Sequence, residues 1–227
     1  SLKPKTTVLA YISLGEINAY SDYVAELQGT NAIVKKNPNW PAFIMDVRHP
    51  RWRQIILEEQ IPDLIAKGFD GIMIDTADSA LALDNASDKR YYGMTAACVS
   101  LIREIHEKYP DLKIMLNRGF PLLHEVGDII DYMLAESVMT TYDAHNNKHR
   151  VTKPSEHMPI YETLRLAQAR NPRLKIYTLD YWNMNDVKGV QFIYQEQRKR
   201  GFIPHVTSPD LRTFYDEHRV LSPDTAK

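Results

Sequence analysis

The feature that most constrains this chain is a short apolar run that ends on a polar residue, repeated seven times. Residues 8–14 end in Gly15-Glu16, 43–45 in Asp46, and 72–74 in Asp75. Residues 114–116 end in Asn117-Arg118, 132–135 in Glu136, 176–179 in Asp180, and 203–206 in Thr207. Runs of this length without alternation suit strands buried on both faces, as in parallel sheets. Helical periodicity fills the intervals. Residues 51–67 place Trp52, Ile55, Ile56, Leu64 and Ile65 on one face, with Pro50 in the first turn and Pro62 expected to kink or interrupt it. Residues 89–109 repeat apolar side chains at i, i+3 and i+4 through Met94, Cys98, Leu101, Ile102 and Ile105. Weaker patterns cover 160–169 and 187–200, and Gly68 and Gly201 stand where helix C-caps belong.

Strand and helix in alternation predict an α/β fold with a parallel sheet. No Gly-x-Gly-x-x-Gly or Walker loop follows a strand, which removes the usual reason for a doubly wound nucleotide-binding sheet. Acids and amides recur at the carboxyl ends of the strands, where a (β/α)8 TIM-type barrel builds its site, so the barrel is the expected fold. Six strands and a seventh at 43–47 fall short of eight, so closure needs one or two units upstream of Ser1, or the barrel is incomplete at the N-terminus. Ser1 reads as a processed or trimmed boundary, and the polar tail 221–227 is expected to fray. A length of 227 residues suits one domain over 1–227.

Composition narrows the function classes. The 28 Lys+Arg and 29 Asp+Glu leave a net charge of −1, which provides no cationic field for nucleic acid and no polybasic membrane handle. No apolar run approaches the ~18 residues of a membrane span. One cysteine, Cys98, excludes an internal disulfide framework and a Cys-rich zinc site. The eight histidines form no His-x-His or His-Glu-x-x-His set, so neither metal nor cofactor is expected; His145 and His149 read as solvated loop residues. A serine-esterase elbow is absent, and the sequon Asn85-Ala86-Ser87 is read as without meaning.

The polar set at the strand ends is Glu16, Asp46, Asp75, Asp78, Asn117, Arg118, Glu136, Asp180 and Tyr181. Carboxyls sharing one rim raise one another's pKa, and a protonated carboxyl beside an ionised one is the equipment of glycoside hydrolysis. Asp75 is the candidate nucleophile; the competing reading is a cap of the next helix. Glu136, behind an apolar run, is the candidate acid/base; the competing reading is a structural ion pair with Arg118. Asp78 binds substrate or caps a turn, and Glu16 touches substrate or supports another side chain. Tyr11, Tyr142, Tyr181 and Trp182 are placed at or beyond strand ends, where several aromatic rings together would stack sugar faces; Trp40 and Trp52 are assigned to packing.

Several segments, in order, resemble a known family. Tyr11-Ile-Ser-Leu-Gly-Glu16, Met45-Asp-Val-Arg-His-Pro50 with Trp52-Arg53, and Gly68-Phe-Asp-Gly-Ile-Met-Ile-Asp75-Thr resemble the endo-α-1,4-polygalactosaminidase family of TIM-barrel glycosidases. Asn117-Arg-Gly-Phe120, Ala135-Glu136-Ser137 and Pro204-His-Val-Thr-Ser-Pro209 look more like the related hydrolase domain of the Pel exopolysaccharide system. The resemblance implies metal-free, retaining, endo-acting hydrolysis of an α-1,4-linked galactosamine/N-acetylgalactosamine polysaccharide of a biofilm matrix, outside the cytoplasm (periplasmic or secreted). It implies Asp75 as nucleophile, Glu136 as acid/base, and Glu16, Asp46, Asn117, Asp180 and Tyr181 as lining residues. The family carries about two βα units before the Tyr-x-Ser-x-Gly-Glu segment, so those units are expected upstream of this chain or are lacking. The alternatives are a non-catalytic polysaccharide-binding barrel and a glycosidase for another α-linked sugar.

Overall fold

All six of the main apolar runs become parallel strands. The computed structural model describes residues 6–86, 88–143 and 146–221, so Ser1, Ser87 of the sequon, His145 and the tail from 222 lie outside the described residues. The chain divides into two compact units, 1–131 and 132–227.

The first unit contains β1 (Leu9–Ser13), β2 (Glu16–Asn18), β3 (Ile33–Lys36), β4 (Ala42–Met45), β5 (Gly71–Asp75) and β6 (Lys113–Asn117). β1 pairs in parallel with β5, from Leu9↔Gly71 to Ser13↔Asp75, and β5 with β6, from Gly71↔Lys113 to Ile74↔Leu116. Ile12, Ile72, Ile74, Ile114 and Leu116 are buried, as are Trp52, Ile55, Ile56, Met94, Cys98, Leu101 and Ile102 on the predicted faces of the helices. Burial pushes the Cys98 thiol up to about 12, so it packs as a small apolar group and carries no thiolate chemistry.

The seventh expected strand belongs elsewhere. β4 lies in a three-stranded antiparallel sheet, ordered β2-β4-β3, with Ile17↔Phe43 and Ile33↔Met45 as partners. The reason is chain length: a parallel neighbour needs a crossover of roughly a dozen residues or more, and the short link from β3 to β4 permits only a reversal.

The helical stretch over 50–66 is interrupted as its proline predicted. An α-helix over Pro50–Gln54 widens into a π-helix over Ile55–Gln60 before a further α-helix over Ile61–Ala66. Ile61 N–H reaches back to Ile56 O, and Pro62 follows with no N–H to give. The helix Met94–Lys108 starts after Gly93, whose φ is 90°. Gly68 and Gly201 end their helices at φ of 85° and 79°.

Gly15 is required by a close approach. A Cβ there would stand 2.1 Å from Thr76 O, a backbone atom with nowhere to yield. Gly15→Ala is therefore expected to destabilise the chain by about 1–3 kcal/mol through overpacking, read as a lower urea midpoint at unchanged m-value.

The second unit contains β7 (Tyr132–Glu136), β8 (Thr140–Asp143), β9 (Lys148–Val151), β10 (Lys175–Tyr181) and β11 (Ile203–Thr207). β7, β10 and β11 are parallel, registered from Lys175↔Tyr132 to Leu179↔Glu136 and from Tyr177↔Ile203 to Tyr181↔Thr207. β8 and β9 form an antiparallel hairpin. Helices Pro154–Arg170 and Val187–Lys199 supply the crossovers, the first longer than its weak periodicity indicated.

Candidate active site

Three strands end in the same local way. Asp75, Asn117 and Glu136 are the last residues of β5, β6 and β7. The residue after each is left-handed: Thr76 at φ 60°, Arg118 at 53° and Ser137 at 55°. Such a conformation costs an L-residue about 1–2 kcal/mol, and for β-branched Thr76 it is a true outlier. Each turn stops its strand at once, leaving the polar side chain on backbone held by the ladder.

In the first unit the Asp75 carboxylate is held from both sides. Asn117 Nδ2 donates to Oδ1 at 3.0 Å, and the Tyr11 hydroxyl donates to Oδ2 at 3.0 Å. Burial, then the Asp75 charge, pushes the Tyr11 phenol well above its ordinary range, so it stays a donor at working pH. Thr76 Oγ1 accepts from Gly15 N at 3.1 Å and lies 2.6 Å from Ser13 Oγ, which ties β1 to the turn after β5. Asp75 does not cap the following helix: Thr76 holds the N-cap position, with no side-chain cap bond. Tyr11 sits in mid-strand rather than at a strand end and is 58% exposed. Arg118 Nε faces Asp78 Oδ2 at 3.3 Å on open surface.

Two carboxylates of the strand-end set are buried and fully hydrogen-bonded, which for Glu16 is the supporting one of its two expected roles. Glu16 is buried; its Oε1 takes Asn37 Nδ2 at 2.9 Å and Ser79 Oγ at 2.5 Å, and its Oε2 takes Trp40 Nε1 at 2.9 Å. A buried carboxylate supplied with three donors is satisfied, and it joins β2 to the 37–40 loop and to helix Ala77–Asp84. Trp40, assigned to packing, is 55% exposed, with only its indole N–H engaged inward. Trp52 packs as expected, and its Nε1 donates to Leu14 O at 2.8 Å.

Asp180 is the second closed carboxylate. It is fully buried in the second unit, where Oδ1 accepts from Met139 N, Thr140 N and Thr140 Oγ1, and Oδ2 from Gln197 Nε2 at 2.7 Å. Burial raises its pKa against the pull of the Gln197 and Thr140 hydrogen bonds. Asp46, though partly open, is engaged by Arg48, whose Nε and terminal nitrogen donate to its two oxygens at 2.8 and 2.6 Å. Burial alone would raise the Asp46 pKa; the Arg48 hydrogen bonds outweigh it and hold the carboxyl below its ordinary value.

Also in the second unit, the Tyr181 hydroxyl donates to Glu136 Oε1 at 2.6 Å. That distance lies at the short end of the range for O–H···O hydrogen bonds. His149, read as solvated loop, lies instead in an aromatic row: its ring is 4.9 Å from Tyr142 and 5.7 Å from Trp182, centroid to centroid. Sequence reasoning missed this row because it arises from the β8–β9 hairpin, whose polar strands carry no apolar alternation.

A cavity of about 350 Å³ in the first unit is lined by Tyr11, Ser13 and Glu16. A larger one of about 720 Å³ lies beside Thr7, Asp70 and Lys113, at the amino ends of β1, β5 and β6, opposite the end that carries Asp75. Size does not pick the site here; in parallel α/β folds the chemistry sits at the carboxyl ends. Among the described residues no group of three or more His, Cys, Asp or Glu could hold a metal ion, and no helix is long and apolar enough to cross a membrane.

The model of glycoside-hydrolase family GH114 matches residues 2–225. The glycoside hydrolase domain of PelA from Pseudomonas aeruginosa superposes with a TM-score of 0.78 at 25% identity, covering 92% of this chain and 80% of that one. Ega3 of Aspergillus fumigatus, solved in complex with galactosamine, superposes with a TM-score of 0.64 at 13% identity, covering 92% and 78%, a likeness of fold. These neighbours share the α/β architecture expected of the chain. A protein of Deinococcus radiodurans described as uncharacterized is 24% identical over 208 residues; the match covers 90% of this chain and spans 65% of that relative's length.

Proposed function

The chain belongs to glycoside-hydrolase family GH114, and from that premise we propose that it is an endo-acting, retaining hydrolase of α-1,4-linked galactosamine/N-acetylgalactosamine polysaccharide. The observation that carries the reading is the Asp75 carboxylate: it ends a buried strand, is aimed by Asn117 and Tyr11, and does not cap the next helix. In the proposed mechanism Asp75 attacks the anomeric carbon as Glu136 protonates the departing glycosidic oxygen. Glu136 then takes a proton from water, which displaces Asp75 and restores the starting anomer. The Tyr181 hydroxyl, bonded to Glu136 Oε1, orients that carboxyl for both proton transfers.

The amino-sugar polymer is proposed from the segment resemblance, and galactosamine bound in the Ega3 structure is a sugar of that class. A free amine on the polymer is cationic and is drawn toward acidic side chains such as Asp75, Asp78 and Glu136. A matrix polysaccharide of this size lies outside the cytoplasm, and the proposed location follows it there.

The test is a reducing-end assay on α-1,4-galactosamine polymer, with the anomer of the first product followed by NMR. Release of internal fragments with the α-anomer formed first is the expected result. Initial β-anomer would end the retaining reading, and tight binding without new reducing ends would favour a polysaccharide-binding barrel.

A further inference from the structure

Past the carboxyl end of β1, the first unit holds out an indole ring that the proposed chemistry leaves unused. Trp40 is exposed, yet its Nε1 donates to the buried Glu16 Oε2 at 2.9 Å. The ring's only polar atom therefore points into the protein, and what it offers outward is apolar ring surface. A tryptophan placed for packing buries its ring, as Trp52 does.

The ring is held stiffly. Glu16 has three donors, Asn37 Nδ2, Ser79 Oγ and Trp40 Nε1, which offset the cost of taking its charge out of water. The loop that carries Trp40 is closed on itself. Asn37 Oδ1 accepts from Asn39 N at 2.8 Å, Asn37 N donates to Ala42 O at 2.9 Å, and Ala42 N donates to Trp40 O at 2.7 Å. Pro38 and Pro41 fix φ on either side of the Asn39-Trp40 pair. A ligand that stacks here meets a ring already in place, with little side-chain entropy left to lose.

A second ring stands on the neighbouring turn. The β2–β4 pairing runs from Glu16↔Ile44 to Asn18↔Ala42, and Ala19 N continues it to Pro41 O at 2.9 Å. Tyr20 and Trp40 occupy the next position on each chain, and Tyr20 is 84% exposed. Asn18 fixes that turn: its Oδ1 accepts from Tyr20 N at 2.9 Å, and its carbonyl accepts from Ser21 N at 3.0 Å. Uncovered aromatic rings on adjoining rigid turns suit a ligand with flat apolar faces and polar edges, which is the form of a pyranose chain.

Both turns lie on the Asp75 end of the first unit. Ser79, which donates to Glu16 Oε1, also bonds through its N–H to Thr76 O at 3.1 Å, and Thr76 directly follows Asp75. We propose that Trp40, with Tyr20 beside it, is a stacking platform for a pyranose ring of the polysaccharide, some units along the chain from the bond that is cut. Glu16 is its positioning residue, and the platform touches none of the reacting atoms. The proposal rests on the reading above for the identity of the polymer, and it deepens that reading by giving the chain a second hold on this unit.

The experiment is fluorescence titration of the full chain carrying Asp75→Asn and Trp182→Phe with an α-1,4-linked N-acetylgalactosamine heptamer. The first substitution spares the ligand from cleavage, and the second leaves Trp40 and the buried Trp52 as the emitting tryptophans. A neutral heptamer is used so that the charges of Lys35 and Lys36 on β3 play no part. A saturable blue shift of the emission is expected, and its loss when Trp40→Phe is added. By calorimetry, Trp40→Ala is expected to weaken the heptamer about 10-fold and Tyr20→Ala about 3-fold. Binding that leaves the emission unmoved, or an affinity unchanged in a folded Trp40→Ala, overturns the platform. If Trp40→Ala fails to fold for want of a donor to Glu16, unchanged affinity in Tyr20→Ala overturns it instead. A blue shift that follows protein concentration without ligand would assign the ring to a second copy of this chain and overturn it as well. The reducing-end assay on wild type separates the two claims. Cleavage with binding indifferent to position 40 sinks the platform alone, and a Trp40-dependent shift without cleavage of the polymer sinks the hydrolase reading alone.

Discussion

Asp75→Asn is expected to lower kcat on galactosamine polymer by about 10⁴-fold or more, and Glu136→Gln by about 10²–10⁴-fold. The first removes the nucleophile and leaves its surroundings: Tyr11 can still donate to the remaining carbonyl oxygen, while Asn117 Nδ2 then faces an amide rather than a charge. The second removes the proton that the leaving oxygen needs and keeps an acceptor for Tyr181. Because Glu136→Gln spares the nucleophile, a substrate with a good leaving group, such as a glycosyl fluoride, should recover much of the first step in that variant and none in Asp75→Asn. Circular dichroism melts check that both variants fold. A folded Asp75→Asn that keeps more than about a tenth of wild-type kcat would remove Asp75 from the chemistry.

The largest effect on stability is expected at Asp180. Asp180→Ala strands four donors, Met139 N–H, Thr140 N–H, the Thr140 hydroxyl and the Gln197 amide, inside the second unit. Each unsatisfied buried group costs about 1–3 kcal/mol, so a total near 3–5 kcal/mol is expected from urea unfolding. Asp180→Asn keeps an acceptor for the two backbone donors and should cost about 1 kcal/mol. The two variants also differ from wild type in pH dependence. The folded Asp180 holds its proton to higher pH than the unfolded chain does, since burial raises its pKa. Its contribution to stability therefore falls as pH rises from the unfolded value near 4, and levels off once the folded value is passed. Asp180→Asn should lack that slope; a variant that keeps it would place the titration elsewhere.

Much of this fold was legible because its strands are buried on both faces. Continuous apolar runs located β1, β5, β6, β7, β10 and β11, and the polar residue that closed each run located Asp75, Asn117 and Glu136. The same rule could not tell an open carboxylate from a sealed one. Glu16 and Asp180 also follow apolar runs, but their partners Asn37, Ser79 and Gln197 lie 21, 63 and 17 residues away, and no local pattern announces them. Trp40 was misjudged for a related reason: its indole N–H is claimed by Glu16, which leaves the ring at the surface. The left-handed turns escaped notice because Thr76, Arg118 and Ser137 lack the preference for positive φ that marks Gly or Asn at such positions. His149 looked solvated because its neighbours in sequence are polar; the hairpin alone brings Tyr142 beside it.

Those turns carry a consequence for how the protein can change. Glycine would rest at φ near 55° free of penalty, yet the chain keeps threonine, arginine and serine at 76, 118 and 137. At 76 the side chain offsets the strain, because its hydroxyl accepts from Gly15 N and meets Ser13, so glycine there would relieve the backbone and untie β1 from the turn. Relief of one residue's torsion and the union of two strands therefore stand against each other at a single codon.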